Sequence, residues 1–284
     1  MNFNEDEIRK AISIMKPENN LFEVRIISGG ANASGYFTDV NVFVDAFKKI
    51  RLDSCNVYIT LNGIKDECYS RQQRDCFIRN VKPTTMDPDI YSYDWLMVDL
   101  DPVRATGTSS SEEQIVFAKK KGNQVYDFMK QTGFEEPVVG FSGNGVHLLY
   151  SVGLAMNDEN KQLVKDCLAV LSLFFSDDKV SVDTANFNPA RVCKLYGTLA
   201  QKGANTPERP HRMSYIVQAP EKPKQNDKAL LQKLAGYLPV PDKPQGYNRF
   251  NPRDFDLDQW LDEHGLHYTK ASYGSGTKYI LEHC

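Results

Sequence analysis

The chain has 284 residues, enough for one large domain or for one domain with a small appendage. A hydrophobic content of 41% provides a substantial core, and a net charge of −3 argues against a surface coated with positive charge for nucleic acid. No apolar run reaches the ~18 residues of a membrane span, and the start lacks a signal-peptide pattern, so we expect a cytoplasmic protein that does not bind membranes.

The first 62 residues predict alternating helices and strands. Asn4 precedes three acids and an apolar stripe at helical spacing, which is typical of the capped start of a helix. The segments FEVRIIS at 22–28 and NVYITL at 56–61 have the composition of strands. Between them, apolar residues at helical spacing follow Asp39 and predict a second helix.

Residues 63–93 are polar, irregular and rich in Arg, Asp and Pro. Two interpretations of this segment are equally compatible with its composition. In one, the segment orders on substrate, and Arg71 and Arg79 contact nucleic-acid phosphates. In the other, it is a solvated connection that carries alternating charges.

The segment WLMVDLDP at 95–102 places two carboxylates in a run that otherwise has the composition of a buried strand. Because strand side chains alternate between faces, Asp99 and Asp101 should point the same way, with Leu100 directed into the core. Two carboxylates on one face repel each other, and one or two hard divalent cations relieve that repulsion. The segment therefore predicts a metal site.

The segment FSGNGVHLLY at 141–150 predicts a hairpin. Its turn is expected at Asn144 and Gly145, because Asn-Gly is the favoured dipeptide for a two-residue turn. In that register, Ser142 and His147 are neighbours across the two strands. A hydroxyl and an imidazole beside a glycine-rich bend suit an anionic ligand such as a phosphate.

The segment VSVDTANFNPARVCKLYGT supplies a third carboxylate, Asp183, after alternating valines. Asn188 and Pro189 predict the cap and first position of a short helical turn. In such a turn, Arg191 and Lys194 are three residues apart and lie on one face.

The stretch that follows Asp183 is basic, although the whole chain is acidic. Residues 189–212 contain a single acid and five cations, namely Arg191, Lys194, Lys202, Arg209 and Arg212. We favour a nucleic-acid groove over a solvated loop, because the stretch lies next to the third acid.

Three regions are expected along the chain. Residues 1–218 form the catalytic core, which includes two longer amphipathic helices on either side of the hairpin, and residues 219–250 form a linker and a short helix. Residues 251–284 predict a helix and a hairpin, and we expect them to be the start of a truncated C-terminal module; whether Cys284 begins a zinc module stays open. The six cysteines lack metal-type spacing, so we expect reduced thiols.

In this order, the carboxylate pair, the Ser/His hairpin, the third acid and the basic turn resemble the catalytic core of the archaeo-eukaryotic primase (AEP) superfamily. The resemblance is greatest to the primase-polymerases (PrimPol) of phages, plasmids and other mobile elements, and it covers residues 20–218. That family's first motif ends in Asp-x-Asp, its second is Ser-x-His-like, and its third is a lone acid after an apolar strand. Here four residues separate Ser142 from His147, and either Ser142 or Asn144 takes the polar role of the second motif.

The resemblance implies an α/β (α+β) fold with an N-terminal α/β unit, an RRM-like unit and a short C-terminal appendage. The expected sheet is mixed, mostly antiparallel and flanked by helices, with the active site between the two units. Two Mg²⁺ or Mn²⁺ ions would be held by Asp99, Asp101 and Asp183, and His147 would be a further catalytic residue. The nucleotide would be bound by Ser142, Gly143, Asn144, His147, Arg191 and Lys194. The nucleic acid would be bound by Lys202, Arg209, Arg212, Arg71 and Arg79.

We therefore expect a template-dependent DNA primase-polymerase that acts in the replication of a phage, plasmid or other mobile element. Its expected partners are a single-stranded DNA template, a primer and dNTPs or NTPs, with a helicase domain or helicase partner of the same element. A two-metal nuclease is one alternative, but it needs neither the hairpin nor the basic turn. A non-catalytic replication-initiation module is another, and the three intact acids argue against it. De novo priming and primer extension remain open alternatives.

Overall fold

The computed structural model describes residues 3–16, 20–29, 32–239, 255–274 and 276–282. The helices are α1 (Glu5–Met15), α2 (Val40–Phe47), α3 (Glu112–Thr132), α4 (Asp158–Phe175), α5 (Lys228–Ala235) and α6 (Leu257–Glu263). The strands are β1 (Phe22–Ser28), β2 (Ala33–Phe37), β3 (Cys55–Thr60), β4 (Gly63–Ile64), β5 (Ile78–Arg79), β6 (Ile90–Pro102), β7 (Val138–Phe141), β8 (Val146–Ala155), β9 (Val180–Val182), β10 (Val192–Lys194), β11 (Leu199–Ala200), β12 (Arg212–Met213), β13 (Tyr215–Gln218), β14 (Tyr268–Tyr273) and β15 (Gly276–Leu281). No helix in these ranges is both long and apolar enough to cross a membrane. The five cysteines in the same ranges carry free thiols, as expected.

Two sheets organise the first compact unit, Met1–Leu238. The first sheet has the strand order β10-β3-β1-β2-β5, and the second has the order β13-β7-β8-β6-β4, with β9 paired to the other end of β6. Every strand pair in the described part of the chain is antiparallel. The expected α/β fold with a mostly antiparallel sheet is therefore confirmed, while the parallel pairs of a mixed sheet do not occur in this part of the chain.

The second sheet is buried on both faces, and this restricts where it can carry polar residues. On one face, α1, α2 and the first sheet form a core that includes Trp95 and Met97 of β6. On the other face, α3, α4 and α5 form a core that includes Leu96, Val98 and Leu100. Successive residues of β6 thus alternate between two apolar cores, as the geometry of a strand requires.

The connection after β13 is hydrogen-bonded to the core. Asn226 is only 2% exposed. Its backbone N–H and its Nδ2 both donate to the carbonyl oxygen of Ser151, at 2.8 and 2.9 Å. Its Oδ1 accepts from the backbone N–H of Glu135 at 2.8 Å. One asparagine therefore joins this connection to β8 and to the loop between α3 and β7.

The helix α5 belongs to the second core. Its Leu231 and Leu234 are fully buried, and they pack in the cluster that contains the apolar face of α4. The sequence predicted that this helix belongs to a linker segment, 219–250. In the structure, the helix is part of the first compact unit, which ends at Leu238. Burial of these leucines depends on α4, more than fifty residues earlier, so the local composition did not reveal it. Residues 240–250 lie outside the described residues.

The second unit, Pro239–Cys284, contains α6 and the β14–β15 hairpin. Asp258 of α6 accepts hydrogen bonds from the hydroxyl of Tyr268 and from Nζ of Lys270, which joins the helix to the hairpin. The helix and hairpin predicted for this tail are therefore present. Cys284, on which a zinc module would depend, lies outside the described residues.

We expect Leu231→Ala to lower the free energy of unfolding by about 2–5 kcal/mol, because truncating a fully buried leucine leaves a cavity. Leu173→Ala is the matched control, since Leu173 is 57% exposed on α4, and it should change that free energy by less than about 0.5 kcal/mol. Urea unfolding followed by circular dichroism measures both values. Equally small effects would show that α5 lies outside the cooperative core.

Candidate active site

A cavity of about 260 Å³ opens where β6 and β8 of the second sheet face β3 and β10 of the first. All three predicted acids line it, together with His147 and three cations. The charged and titratable lining residues are Asp99, Asp101, Asp183, His147, Arg191, Lys194, Lys202, Tyr58 and Cys193. The sequence segments that predicted the site thus converge on one space.

The two acids of β6 reach this cavity because of strand alternation. Asp99 and Asp101 continue the face of β6 that carries Met97, just beyond the end of the apolar core. Leu100, between them, is fully buried in the opposite core. The third acid is placed by strand pairing, since the backbone N–H of Asp183 donates to the carbonyl oxygen of Asp99 at 2.9 Å.

Asp99 forms an ion pair with His147, its direct neighbour across β6 and β8. Nε2 of His147 lies 3.4 Å from Oδ1 of Asp99. Burial raises the pKa of the Asp99 carboxyl, but the charge of His147 outweighs burial and holds that pKa below its usual value. Burial likewise lowers the pKa of His147, while the Asp99 carboxylate raises it well above its ordinary value. The pair is therefore a carboxylate with an imidazolium.

The carboxylate of Asp101 has weaker contacts with nearby cations than the carboxylate of Asp99. Burial, followed by the charge of Asp99, raises the pKa of the Asp101 carboxyl. Nη2 of Arg104 is 3.4 Å from Oδ2 of Asp101, and Nζ of Lys202 is 4.0 Å from the same oxygen. The predicted repulsion between the two acids of β6 is thus present, and a cation between them would lower the pKa of Asp101.

The three acids do not form a complete set of metal ligands. Among the described residues, no group of three or more acidic, histidine or cysteine side chains is close enough to hold a metal ion. Oδ2 of Asp183 lies 2.7 Å from Nη2 of Arg191, and its Oδ1 accepts from the N–H of Ala185 at the start of a 3₁₀ helix. Carboxylate oxygens nevertheless suit a hard divalent cation, and Oδ1 of Asp99 is buried without a hydrogen bond of ordinary geometry. The donor set therefore fits Mg²⁺ or Mn²⁺.

The turn of the β7–β8 hairpin differs from the prediction by one residue. Gly140 pairs with His147, so the turn consists of Gly143 and Asn144 rather than Asn144 and Gly145. Gly143 has a φ of +94°, a conformation that favours glycine. The predicted cross-strand contact between the serine and the histidine of this motif is therefore wrong.

The polar side chains of the turn bond within the protein. The hydroxyl of Ser142 accepts from the N–H groups of Gly145 and Asn144, at 2.9 and 3.3 Å. Oδ1 of Asn144 accepts from the N–H of Ser110 at 2.8 Å, and the carbonyl of Asn144 accepts from the Ser110 hydroxyl at 2.7 Å. Both residues line the cavity, and their contact with a nucleotide remains a prediction.

Tyr196 and Cys193 also contact His147, and neither residue was predicted from the sequence to belong to the site. Nδ1 of His147 lies 2.9 Å from the Tyr196 hydroxyl and 3.5 Å from Sγ of Cys193. A Cβ at Gly140 would overlap the Tyr196 hydroxyl, so any larger residue there requires Tyr196 to move or to be replaced by a smaller residue. A glycine within a strand indicates close approach by another group, and Gly140 was therefore an available signal.

Arg191 and Lys194, two of the cations predicted to bind phosphate, both line the cavity but do not share a helical turn. The short helical turn is Thr184–Phe187, and Asn188 follows it instead of starting it. Because residues 192–194 pair with β3, Lys194 lies on a strand, and the prediction that it shares a helical face with Arg191 is wrong. Burial lowers the pKa of the Lys194 ammonium to about 7, and its Nζ donates to the carbonyl of Leu199 at 2.9 Å.

Two predicted nucleic-acid contacts are engaged inside the protein. Arg209 donates to the carbonyl of Ser109 at 2.6 Å. Arg212 donates to the carbonyl of Ser110 at 2.7 Å and to the carboxylate of Glu112 at 2.6 Å. These arginines hold the segment that leads into α3, which argues against their contacting nucleic-acid phosphates.

The other three cations of that prediction differ in position. Arg71 makes a bidentate pair with Asp89, at 2.7 and 2.6 Å, and this contact lowers the pKa of the Asp89 carboxyl to about 2. Arg79 is exposed on β5. Lys202 is the one residue of the predicted nucleic-acid set that lines the cavity.

No known protein family and no curated protein sequence matches this chain. Solved structures do resemble it. The AEP domain of the primase-polymerase of cyanophage S-2L has a TM-score of 0.51 at 15% identity, over 83% of this chain and 100% of that domain. Primase RepB′ has a TM-score of 0.47 at 15% identity, over 82% of this chain and 62% of that one. The catalytic domain of primase RepB′ with initiator DNA has a TM-score of 0.44 at 14% identity, over 82% of this chain and 93% of that one.

The likeness to the cyanophage domain extends over the whole of that domain. At 15% identity it is a likeness of fold. The chain therefore shares its fold with the AEP domain of that cyanophage primase-polymerase.

Proposed function

We propose that this chain is a primase-polymerase, a template-dependent nucleotidyltransferase that extends a 3′-hydroxyl during replication of a mobile element, phage or plasmid. The observation that supports this most is the cavity itself. In it, Asp99 and Asp101 share one face of β6 and meet Arg191, Lys194 and Lys202. Acids that bind cations, next to cations that bind phosphates, are what transfer from a nucleoside triphosphate requires.

Asp99 and Asp101 would hold Mg²⁺ or Mn²⁺, with Asp183 as a third ligand. Two such ions, when bound, supply activation of the 3′-hydroxyl and stabilisation of the leaving pyrophosphate. The chain contributes the arrangement of the ligands. His147 keeps Asp99 ionised, so this carboxylate is available to a cation at neutral pH.

Arg191 and Lys194 would bind the triphosphate, with Lys202 at the same cavity. In the free chain, Arg191 is the counter-ion of Asp183. A cation at Asp183 would free the guanidinium group, which can then bind phosphate oxygens in a bidentate manner. Lys194 would gain a proton when the polyphosphate arrives, because nearby negative charge favours the ammonium form.

The proposed partners are a single-stranded DNA template, a primer and dNTPs or NTPs, together with a helicase of the same element. A labelled primer annealed to a template, incubated with nucleotides and Mg²⁺ or Mn²⁺, tests the activity. Lengthening of the primer supports the proposal. Shortening of the primer would instead indicate a two-metal nuclease, and DNA binding without either change would indicate a non-catalytic module. An unprimed template in parallel detects de novo initiation.

We expect Asp99→Asn and Asp101→Asn each to abolish primer extension, because each removes a charged oxygen ligand. Asp101→Asn should not lower the melting temperature, since it relieves repulsion from Asp99. Asp127→Asn, an exposed acid on α3, is the control and should extend primers like the wild type. Extension by the Asp99→Asn, Asp101→Asn double variant would rule out the metal assignment.

Arg191→Ala should weaken nucleotide binding more than template binding, because Arg191 is assigned to the triphosphate. Loss of a charge-assisted phosphate contact costs about 1.5–3 kcal/mol, or roughly 10- to 150-fold in affinity. Titrations of labelled dNTP and of labelled single-stranded DNA measure the two affinities. Arg51→Ala is the control, because the Arg51 side chain is 91% exposed. A drop in DNA affinity without a drop in nucleotide affinity would reverse the assigned roles.

A chain that ends at Leu238 should still extend an annealed primer. All the residues assigned to the cavity lie in the first compact unit, and so does α5, which completes the second core. Primer extension by the truncated and full chains at equal concentration measures the effect. Loss of extension in a truncated chain that still unfolds cooperatively would show that residues 239–284 belong to the catalytic domain.

A further inference from the structure

Asn186 lines the cavity, and neither the sequence nor the proposed mechanism has given it a role. It lies on the 3₁₀ helix after Asp183 and is 7% exposed. Its Oδ1 accepts a hydrogen bond from Nε of Arg191 at 3.0 Å. Because an arginine Nε can only donate, this contact determines which end of the amide carries the oxygen.

The other end of the same amide is unpaired. Nδ2 of Asn186 is buried and has no hydrogen-bond partner among the described residues. Buried donors in native proteins are paired in the great majority of cases, so an unpaired donor on a residue that lines a cavity is compatible with an acceptor supplied by an occupant of that cavity. Oδ1 of Asp99, in the same cavity, has the 3.4 Å ion pair with Nε2 of His147 but no hydrogen bond of ordinary geometry.

The surrounding charges indicate which acceptor fits. Arg191 is bonded to Asn186, and Lys194 and Lys202 line the same cavity. Donors grouped with cations in this way select the oxygens of an anion. An occupant that suits both residues carries a cation for the Asp99 carboxylate and anionic oxygens for Asn186, which describes a metal-bound polyphosphate.

We propose that Nδ2 of Asn186 donates a hydrogen bond to a phosphate oxygen of the bound nucleoside triphosphate. This inference rests on the proposed function, and it makes Asn186 a substrate-binding residue. Its Oδ1 at the same time directs Arg191 towards the same phosphate chain.

A double-mutant cycle separates the direct contact from an effect through Arg191. The variants are Asn186→Leu, which keeps the branching at Cγ and removes both the donor and the acceptor, Arg191→Lys, which keeps the charge and removes Nε, and the pair combined. Titration with a labelled dNTP and Mn²⁺ should show about 10-fold weaker binding for Asn186→Leu in the Arg191→Lys background, and at least as large a loss in the wild-type background. No loss in the Arg191→Lys background would overturn the proposal, because Asn186 would then act only by holding Arg191.

Stability provides a second readout and a matched control. Asn56 lines the same cavity, but its amide is paired at both ends with the backbone of Gln201, at 2.8 Å each. Asn56→Leu should therefore lower the melting temperature more than Asn186→Leu, which removes an unpaired buried donor together with one hydrogen bond from the partly exposed Arg191. A lower melting temperature for Asn186→Leu with unchanged nucleotide affinity would make Asn186 a structural residue.

Competition by inorganic triphosphate identifies the part of the nucleotide that is contacted. The proposal expects the same loss of affinity for inorganic triphosphate as for dNTP in Asn186→Leu. A loss confined to dNTP would place the contact on the sugar or base and overturn the phosphate assignment. If the wild-type chain binds no triphosphate at all, the proposed function fails; if it binds and Asn186→Leu binds equally well, this inference alone fails.

Discussion

The strand β6 is covered by apolar cores on both faces for most of its length, and a carboxylate on such a strand is tolerated only where one core ends. That point is reached after Met97, where the core between α1, α2 and the sheets gives way to a polar cavity. Asp99 and Asp101 occupy the two positions of β6 that face this space, while Leu100 continues the other core. The position of the site in the fold thus follows from where apolar packing ends along a single strand.

The cost of burying these acids is offset by exchangeable partners rather than by permanent ones. Asp99 pairs with His147, Asp183 pairs with Arg191, and Asp101 has only the longer contacts from Arg104 and Lys202. Under the proposed function, an incoming metal ion would replace these cations at the acids. Ligand binding would then redistribute ion pairs that already exist in the free chain.

Features that depend on short-range periodicity could be predicted from the sequence. The shared face of Asp99 and Asp101 follows from a period of two, and the end of α3 at Thr132 follows from the glycine after it, which has a φ of +106°. The features that were missed depend on distant partners. The hairpin turn lies one residue earlier than predicted, and Asn144 in it accepts a hydrogen bond from Ser110, about 30 residues earlier; Lys194 lies on a strand because residues 192–194 pair with β3.

The same reason explains the residues that the sequence did not assign correctly. Arg209 and Arg212 had the charge expected of a phosphate contact, but carbonyl groups about 100 residues earlier in the chain take up their donors. No sequence pattern singled out Asn186, because its proposed role depends on a side-chain donor that is left unpaired in the folded chain. Composition and spacing show which hydrogen-bond donors and acceptors a chain has, whereas the partners of those donors and acceptors are determined by the folded structure.

The contact between Gly140 and Tyr196 limits how this site can change among related sequences. A methyl group at position 140 would occupy the space of the tyrosine hydroxyl, so the two positions should covary. A relative with alanine or serine at the position of Gly140 should have a smaller residue at the position of Tyr196. Such a relative would also lose the hydroxyl next to Nδ1 of His147. It would then need another polar group there, and the identity of that group would mark a separate lineage of the same fold.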